Sequence, residues 1–424
     1  MAGGVVRSEE SQGPDRASLY GWLVFALSFG LLISDYMARQ VLNAVFPLLK
    51  AEWQLSDAQL GLLSGIVAIM VGLLTFPLSL AADRWGRAKS LALMAILWSL
   101  ATLFCSIAQS YEAMLLGRAL VGVGEAAYGS VGIALVISVF PQRLRATLSA
   151  AFMAGGLFGQ VLGVAIGAQI ASIHGWRAAF LAIGASGLVL GLLYPLCVRD
   201  AKVKALAGTS QNVQSVPAPA LKQLFASRSI KLAYLGSGLQ LFAAGALPAW
   251  LPTYLNRYYQ LPLDQAGQRA ALLLLTCGLG MILCGMVSDR ITRGHPDRKI
   301  HLAVSYSLGT AVSLALSFAL PVGPAQLSLL ALAMFLAAAT TGPAGAMVAN
   351  LTPLALHGSA FATLTLANNV IGLAPGPILT GRLADSLGLL GALQLLPVPC
   401  LLAALAFAMM QRSYVADLDQ QAKI

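Results

Sequence analysis

Leu31-Leu-Ile-Ser-Asp35-Tyr-Met-Ala-Arg39-Gln-Val-Leu42 lies inside a long apolar run, yet it carries an acid and a base about one helical turn apart. A second apolar run, Met114–Phe140, carries Arg118 and Glu125. A charge at membrane depth costs at least about 2.5–3.5 kcal/mol, so it normally faces a partner or a water-filled cavity. Only 10% of the residues are charged and 58% are hydrophobic. Charges placed inside apolar runs of such a chain mark a polar cavity within a helical bundle, which is how carriers are built.

The rest of the 424-residue chain fits that reading. A spanning helix needs about 20 mostly apolar residues, and about twelve runs qualify. They cover 18–47, 58–82, 88–110, 113–140, 146–172, 176–197, 229–257, 265–288, 299–320, 325–350, 358–382 and 388–411. These runs are too long and continuous for barrel strands. The expected fold is an all-α membrane protein of twelve transmembrane helices in two pseudo-symmetric halves. The expected divisions are a tail (1–17), a first half (18–197), a linker (198–228), a second half (229–411) and a second tail (412–424). The polar opening residues lack the basic, apolar, small-residue order of a cleaved signal.

The net charge of +10 does not require a nucleic-acid partner. With both termini in the cytoplasm, most loop Lys and Arg fall on that side, leaving Lys50, Arg177, Arg257, Arg269 and Arg382 outside. That is the positive-inside pattern, which sets the orientation; the expected location is a bacterial inner membrane. The basic linker, with Lys202 and Lys204, is expected to be a flexible cytoplasmic loop near anionic headgroups. Cys105, Cys197, Cys277, Cys284 and Cys400 lie in or beside apolar spans and share no ligand spacing with His174, His295, His301 or His357. No metal or cofactor is expected. No nucleophile paired with a base and no phosphate-cradling loop is present, which argues against an enzyme. The chain is expected to act as a monomer.

The halves echo each other. Ser79-Leu-Ala-Ala-Asp83-Arg84-Trp-Gly86-Arg87 ends the second span, and Gly285-Met-Val-Ser-Asp289-Arg290-Ile-Thr-Arg293 ends the eighth. The fifth span carries Gly155, Gly156, Gly159, Gly163 and Gly167; the eleventh carries Gly372, Gly376-Pro377 and Gly381. Glycines at four-residue spacing make a smooth face for close helix packing. Gly376-Pro377 adds an expected kink.

The twelve spans, the basic central linker and the Asp83-Arg84-Trp-Gly86-Arg87 string resemble the major facilitator superfamily. A narrower resemblance, to its Spinster-like branch, rests on three stretches. They are Arg118-Ala-Leu-Val-Gly122-Val-Gly124-Glu125-Ala126, Leu55-Ser-Asp-Ala-Gln-Leu-Gly61-Leu-Leu-Ser-Gly65 and Gly245-Ala-Leu-Pro-Ala-Trp250-Leu-Pro252-Thr-Tyr254. The branch usually has Asp directly before the first-span arginine; here that residue is Ala38, and the nearest acid is Asp35. The resemblance implies alternating access by a carrier of lysophospholipids or sphingoid phosphates, surrounded by membrane lipids. It also puts Asp83, Arg84, Gly86 and Arg87 at a cytoplasmic gate, with Arg143 and Arg145 as partners and Asp289 and Arg290 as a second-half copy. For that copy, topogenic charge is an equal alternative.

Arg39 reads either as an anchor for an anionic substrate or as a structural ion-pair partner of Asp35. Arg118 and Glu125 stand about two turns apart and read either as a proton-coupling pair or as a buried tie between helices. Asn43, Gln160, Gln169, Gln240, Tyr254, Asn350, Asn368 and Asn369 are each candidates for cavity lining or for interhelical hydrogen bonds. Trp250-Leu-Pro252-Thr-Tyr254 is either an interfacial aromatic belt or an outer hinge. The expected activity is proton-coupled transport of an amphipathic anionic or zwitterionic solute. A small carboxylate symporter, a drug exporter and a receptor without transport are the alternatives.

Overall fold

The computed structural model describes residues 19–207, 224–225, 227–293, 295, 297–353 and 356–421. Among the described residues the chain is helical, with no strand. The first half runs α1 (Leu19–Ala44), α2 (Phe46–Trp53), α3 (Asp57–Trp85), α4 (Arg87–Ser106), α5 (Tyr111–Glu125), α6 (Tyr128–Ser138), α7 (Gln142–His174) and α8 (Trp176–Cys197). A short α9 (Asp200–Ala207) follows. The second half runs α10 (Arg228–Tyr258), α11 (Leu263–Ile291), α12 (Arg298–Ala319), α13 (Pro324–Ala337), α14 (Thr341–Asn350) and α15 (His357–Ala367). A π-helical turn (Asn368–Leu373), α16 (Pro375–Gln394) and α17 (Pro397–Gln421) complete it.

Eleven stretches are long and apolar enough to cross a membrane, α5–α6 and α13–α14 each counting as one broken crossing. The twelfth crossing is α15 with the π turn and the start of α16. The π turn precedes Pro375, so the expected kink near Gly376-Pro377 takes the form of a wider turn just upstream. The run read as 18–47 divides at Val45 into α1 and the short α2. Part of the expected linker is helical: Val198 and Val203 are buried, and Asp200 caps the start of α4 by accepting from Ala88 N (2.9 Å) and Lys89 N (3.2 Å).

Local sequence sets the ends. Ser56 and Gln59 form a reciprocal capping box at the start of α3. Ser110 and Ser227 cap α5 and α10. The fifth-span glycines let α7 lie against α1: a Cβ on Gly159 would sit 2.6 Å from Ile33 O, and one on Gly163 2.9 Å from Met37 O. In the second half, Gly376 meets the α10 backbone in the same way, 2.5 Å from Phe242 O.

The halves meet along α3 with α16 and along α7 with α11. Their packing is unequal from end to end. One continuous apolar core joins Phe46, Leu60 and Leu63 of the first half to Trp250, Leu255 and Leu274 of the second. Ile230, Met347, Phe407 and Tyr414 at the opposite end of the second half form a separate core. The halves are therefore sealed at the end bearing Asp57 and splayed at the end bearing Arg84.

Candidate functional site

Glu125 is the last residue of α5, where the crossing breaks before α6. Two glycines put it there. A Cβ on Gly122 would lie 2.9 Å from Val67 O of α3, and one on Gly124 2.7 Å from Trp98 N of α4. Only glycine lets α5 sink this far between its neighbours. Glu125 thereby meets Arg39 of α1: Arg39 Nη2 donates to Glu125 Oε2 at 2.7 Å and Nε to the same oxygen at 3.0 Å. The Glu125 side chain is fully buried, whereas that of Arg39 is 22% exposed and opens onto the space between the halves. Arg39 also lies over the Tyr36 ring, 5.3 Å from its centroid.

Asp35 completes the group. Its carboxyl abuts that of Glu125 and shares the field of Arg39. Among the described residues, Asp35 Oδ1 and Glu125 Oε1 are both buried without a hydrogen-bond partner. Two carboxyls thus face one guanidinium, and a proton on either relieves their mutual repulsion.

Arg118 does not pair with Glu125. It is fully buried and donates to three main-chain carbonyls: Ala38 O (2.8 Å), Arg39 O (3.0 Å) and, more weakly, Leu63 O (3.4 Å). It therefore rivets the backbone beneath Arg39 to α3 and α5. Gln40 extends the polar group, accepting from Asn43 Nδ2 (2.6 Å) and donating to Gln160 of α7 (3.4 Å).

The facing wall differs. α10 is enclosed by α11, α14, α16 and α17, so its exposed side faces the first half. That side carries Leu235, 40% exposed, with Leu239 half-buried. α14 adds Gly342, Gly345, Ala346 and Ala349. Asn368 is half-buried and accepts from Ser237 at 2.7 Å; Asn369 is buried and donates to Thr365 O at 2.9 Å. Gln240 is buried away from the space, donating to Thr310 and to Ala337 O. Tyr254 is also buried away from it, stacked on Tyr258 at 4.9 Å and against Phe318 at 5.6 Å. Asn350 is an exposed residue whose amide donates to Tyr414 OH at 3.3 Å.

Arg84, Arg143, Asp289 and Arg290 lie exposed at the splayed end, with Arg87 half-buried. Gly86 has φ 107° and packs on the Asp200 carboxylate, 2.7 Å from its would-be Cβ, so a larger residue fits neither the backbone nor the space. Arg145 of α7, also exposed, donates to Phe140 O in the turn between α6 and α7 (3.2 Å). The side chain of Asp83 lies outside the described residues.

Sequence reasoning missed a second polar group at the sealed end. Asp57 receives both terminal nitrogens of Arg257 (2.8 and 2.7 Å) and Lys50 Nζ (2.6 Å), while Asp385 accepts from Asp57 N and Ala58 N. These residues sit at span ends and read as loop charges. An acid at the first position of a helix was the available signal.

Residues 27–372 match the family model of the Major Facilitator Superfamily. The chain is 27% identical over 279 residues to a probable L-galactonate transporter of Escherichia coli, covering 63% of this chain and 61% of that one. It is 27% identical over 311 residues to the sphingosine-1-phosphate transporter of Danio rerio, covering 69% of this chain and 61% of that one. The fold matches a crystal structure of a bacterial homologue of the human lysosomal transporter Spinster, in an inward-facing and occupied conformation. The TM-score is 0.83 at 19% identity, over 95% of this chain and 99% of that one.

Proposed function

We infer the function from one premise: this chain belongs to the Major Facilitator Superfamily and is a multi-pass membrane transporter, not an enzyme. It resembles the Spinster-like branch. We read it as a proton-coupled carrier of an amphipathic organic anion such as a lysophospholipid or sphingoid phosphate. The observation that carries this reading is the half-open Arg39–Glu125 pair, with Asp35 beside it.

An incoming anion and Glu125 compete for one guanidinium. Protonating Glu125 removes the competitor, so proton and anion favour each other's binding, and the effect is reciprocal. A charge-assisted hydrogen bond contributes about 1.5–3 kcal/mol, enough to shift occupancy by one to two orders of magnitude. The anionic group meets Arg39, and the apolar part lies along Leu235 and Leu239. Asn368 is placed to take a polar group from the solute, and Asp83, Arg84, Gly86, Arg87, Arg143, Arg145, Asp289 and Arg290 act at the gate. The positive-inside pattern supports an orientation in a bacterial inner membrane with the splayed end and both termini on the cytoplasmic side.

A second reading has support of its own. The likeness to an L-galactonate transporter, with Gln40, Asn43 and Gln160 near Arg39, favours a small hydrophilic carboxylate. A thermal-shift screen of the purified protein against lysophospholipids, sphingosine phosphate and sugar acids separates the two, because a selective ligand raises the unfolding temperature. Stabilisation by the lipids, lost in Arg39→Ala, supports the first reading. Stabilisation by sugar acids alone overturns it.

A further inference from the structure

The polar group at the sealed end is unlike the gate string at the other end. Asp57 is 5% exposed in its side chain, yet it is held from both halves: Lys50 of the first half and Arg257 of the second converge on it. The Arg257 contact is bidentate, the geometry in which a guanidinium binds a carboxylate most strongly. Asp385 of the second half reaches back across the same seam. Its two oxygens accept from Asp57 N (2.7 Å) and Ala58 N (3.0 Å), donors of the first turn of α3 that have no partner within the helix. A carboxylate there also meets the positive end of the helix dipole. The seam is tight around these groups: a Cβ on Gly381 would collide with Asp57 O. Phe46 packs on Trp250 beside it, 5.3 Å between ring centroids.

We propose that Asp57, Lys50, Arg257 and Asp385 form a two-way latch between the halves, which holds the carrier open at the Arg84 end and must release before the sealed end can open. Each half offers the other one carboxylate, so the lock is reciprocal. Opening breaks both contacts together and leaves the first-turn amides of α3 to water. The release also reaches the site. Leu63, which accepts from Arg118, lies about 9 Å along α3 from Asp57. Arg118 in turn holds the carbonyls of Ala38 and Arg39. α3, α5 and the middle of α1 therefore shift as one block when α3 is freed, carrying Arg39 with them.

Hydrogen–deuterium exchange on the full-length protein in nanodiscs tests this without any substrate or proton gradient, so its outcome is independent of the transport reading above. Arg257→Gln and Asp385→Asn are each compared with wild type at two places: residues 54–62 at the latch, and residues 79–90 with 285–293 at the opposite end. The latch predicts about tenfold faster exchange at 54–62 together with slower exchange at the opposite end, as the population moves toward the other conformation. Arg257→Lys, which keeps the charge but not the fork, gives an intermediate shift at both ends. Glu52→Gln, a charge change at the same end whose partners Trp176 and Arg177 lie within the first half, leaves both ends as in wild type. Faster exchange confined to 54–62 shows a local helix cap and overturns the proposal, as does no change at all. Should Arg257→Gln fail to fold, Lys50→Gln, which removes a 36%-exposed donor from the same carboxylate, carries the same two-ended reading.

Discussion

Replacing Arg39 by lysine keeps one positive charge and removes the fork. In the structure Arg39 spends Nε and one Nη2 hydrogen on Glu125 Oε2, at 3.0 and 2.7 Å, and its 22% exposure leaves the rest of the guanidinium toward the open space. An ammonium can hold Glu125 or greet an anion, but it cannot present two parallel N–H bonds to the second while keeping the first. The loss is about one charge-assisted hydrogen bond, roughly 1.5–3 kcal/mol. That corresponds to about a 10- to 150-fold rise in the apparent KM for the transported anion. The fold should hold, because Arg118 fixes the backbone at this point through Ala38 O and Arg39 O, independently of the Arg39 side chain. Uptake into proteoliposomes at graded solute concentration reads the KM, and thermal unfolding of the same preparation reports the fold. A lysine variant with the wild-type KM would refute the anchor.

Three further outcomes follow. Gly159→Ala places a methyl 2.6 Å from Ile33 O, a backbone atom that cannot turn aside, so α1 and α7 separate and the unfolding temperature falls by the equivalent of about 1–3 kcal/mol; an unchanged melting curve would show that the seam has slack. Burial lifts the Glu52 carboxyl, but hydrogen bonds from Trp176 and Arg177 outweigh it and hold it below the usual carboxylate range. Its contribution is therefore full above the unfolded-state value and fades as pH falls through the lower folded-state value, so the melting difference between wild type and Glu52→Gln should shrink on acidification from about pH 7 to about pH 3; a difference that grows contradicts the sign. Asp83→Asn should move the distance distribution between spin labels on the two halves at the Arg84 end, with the unfolding temperature kept; unchanged distances and unchanged transport count against its gate role.

Much of the scaffold could be read from hydropathy alone, because a spanning helix must satisfy its backbone internally and bury a fixed length. Periodicity could not show where a crossing breaks. The α5–α6 break beside Glu125 and the π turn at Asn368–Leu373 depend on which neighbour each glycine meets, and that is a tertiary fact. The site residues stood out for a different reason: charges are rare in apolar runs. Spacing placed Asp35 with Arg39 and Arg118 with Glu125, each along one helix. The structure pairs them differently, because Gly122 and Gly124 let α5 sink between α3 and α4 and set Glu125 opposite Arg39, leaving Arg118 to the carbonyls. Asp57 and Asp385 were hidden by position, since an acid at a span end looks the same whether it faces water or the other half. Tyr254 shows the converse: a polar aromatic in a motif-rich stretch is packed among Tyr258, Tyr259 and Phe318.

The central claim is that Glu125 exchanges Arg39 for a proton as the anion binds. Glu125→Gln keeps an oxygen in place and removes the exchangeable charge. The direct measurement is flux of the stabilising solute in proteoliposomes, with and without an imposed pH gradient, for wild type and Glu125→Gln. Wild type should concentrate the solute when the gradient is applied, whereas the Gln variant should exchange solute across the bilayer but fail to concentrate it. A Gln variant that still accumulates solute in response to the gradient would contradict the account, and would leave Glu125 as a structural partner of Arg39.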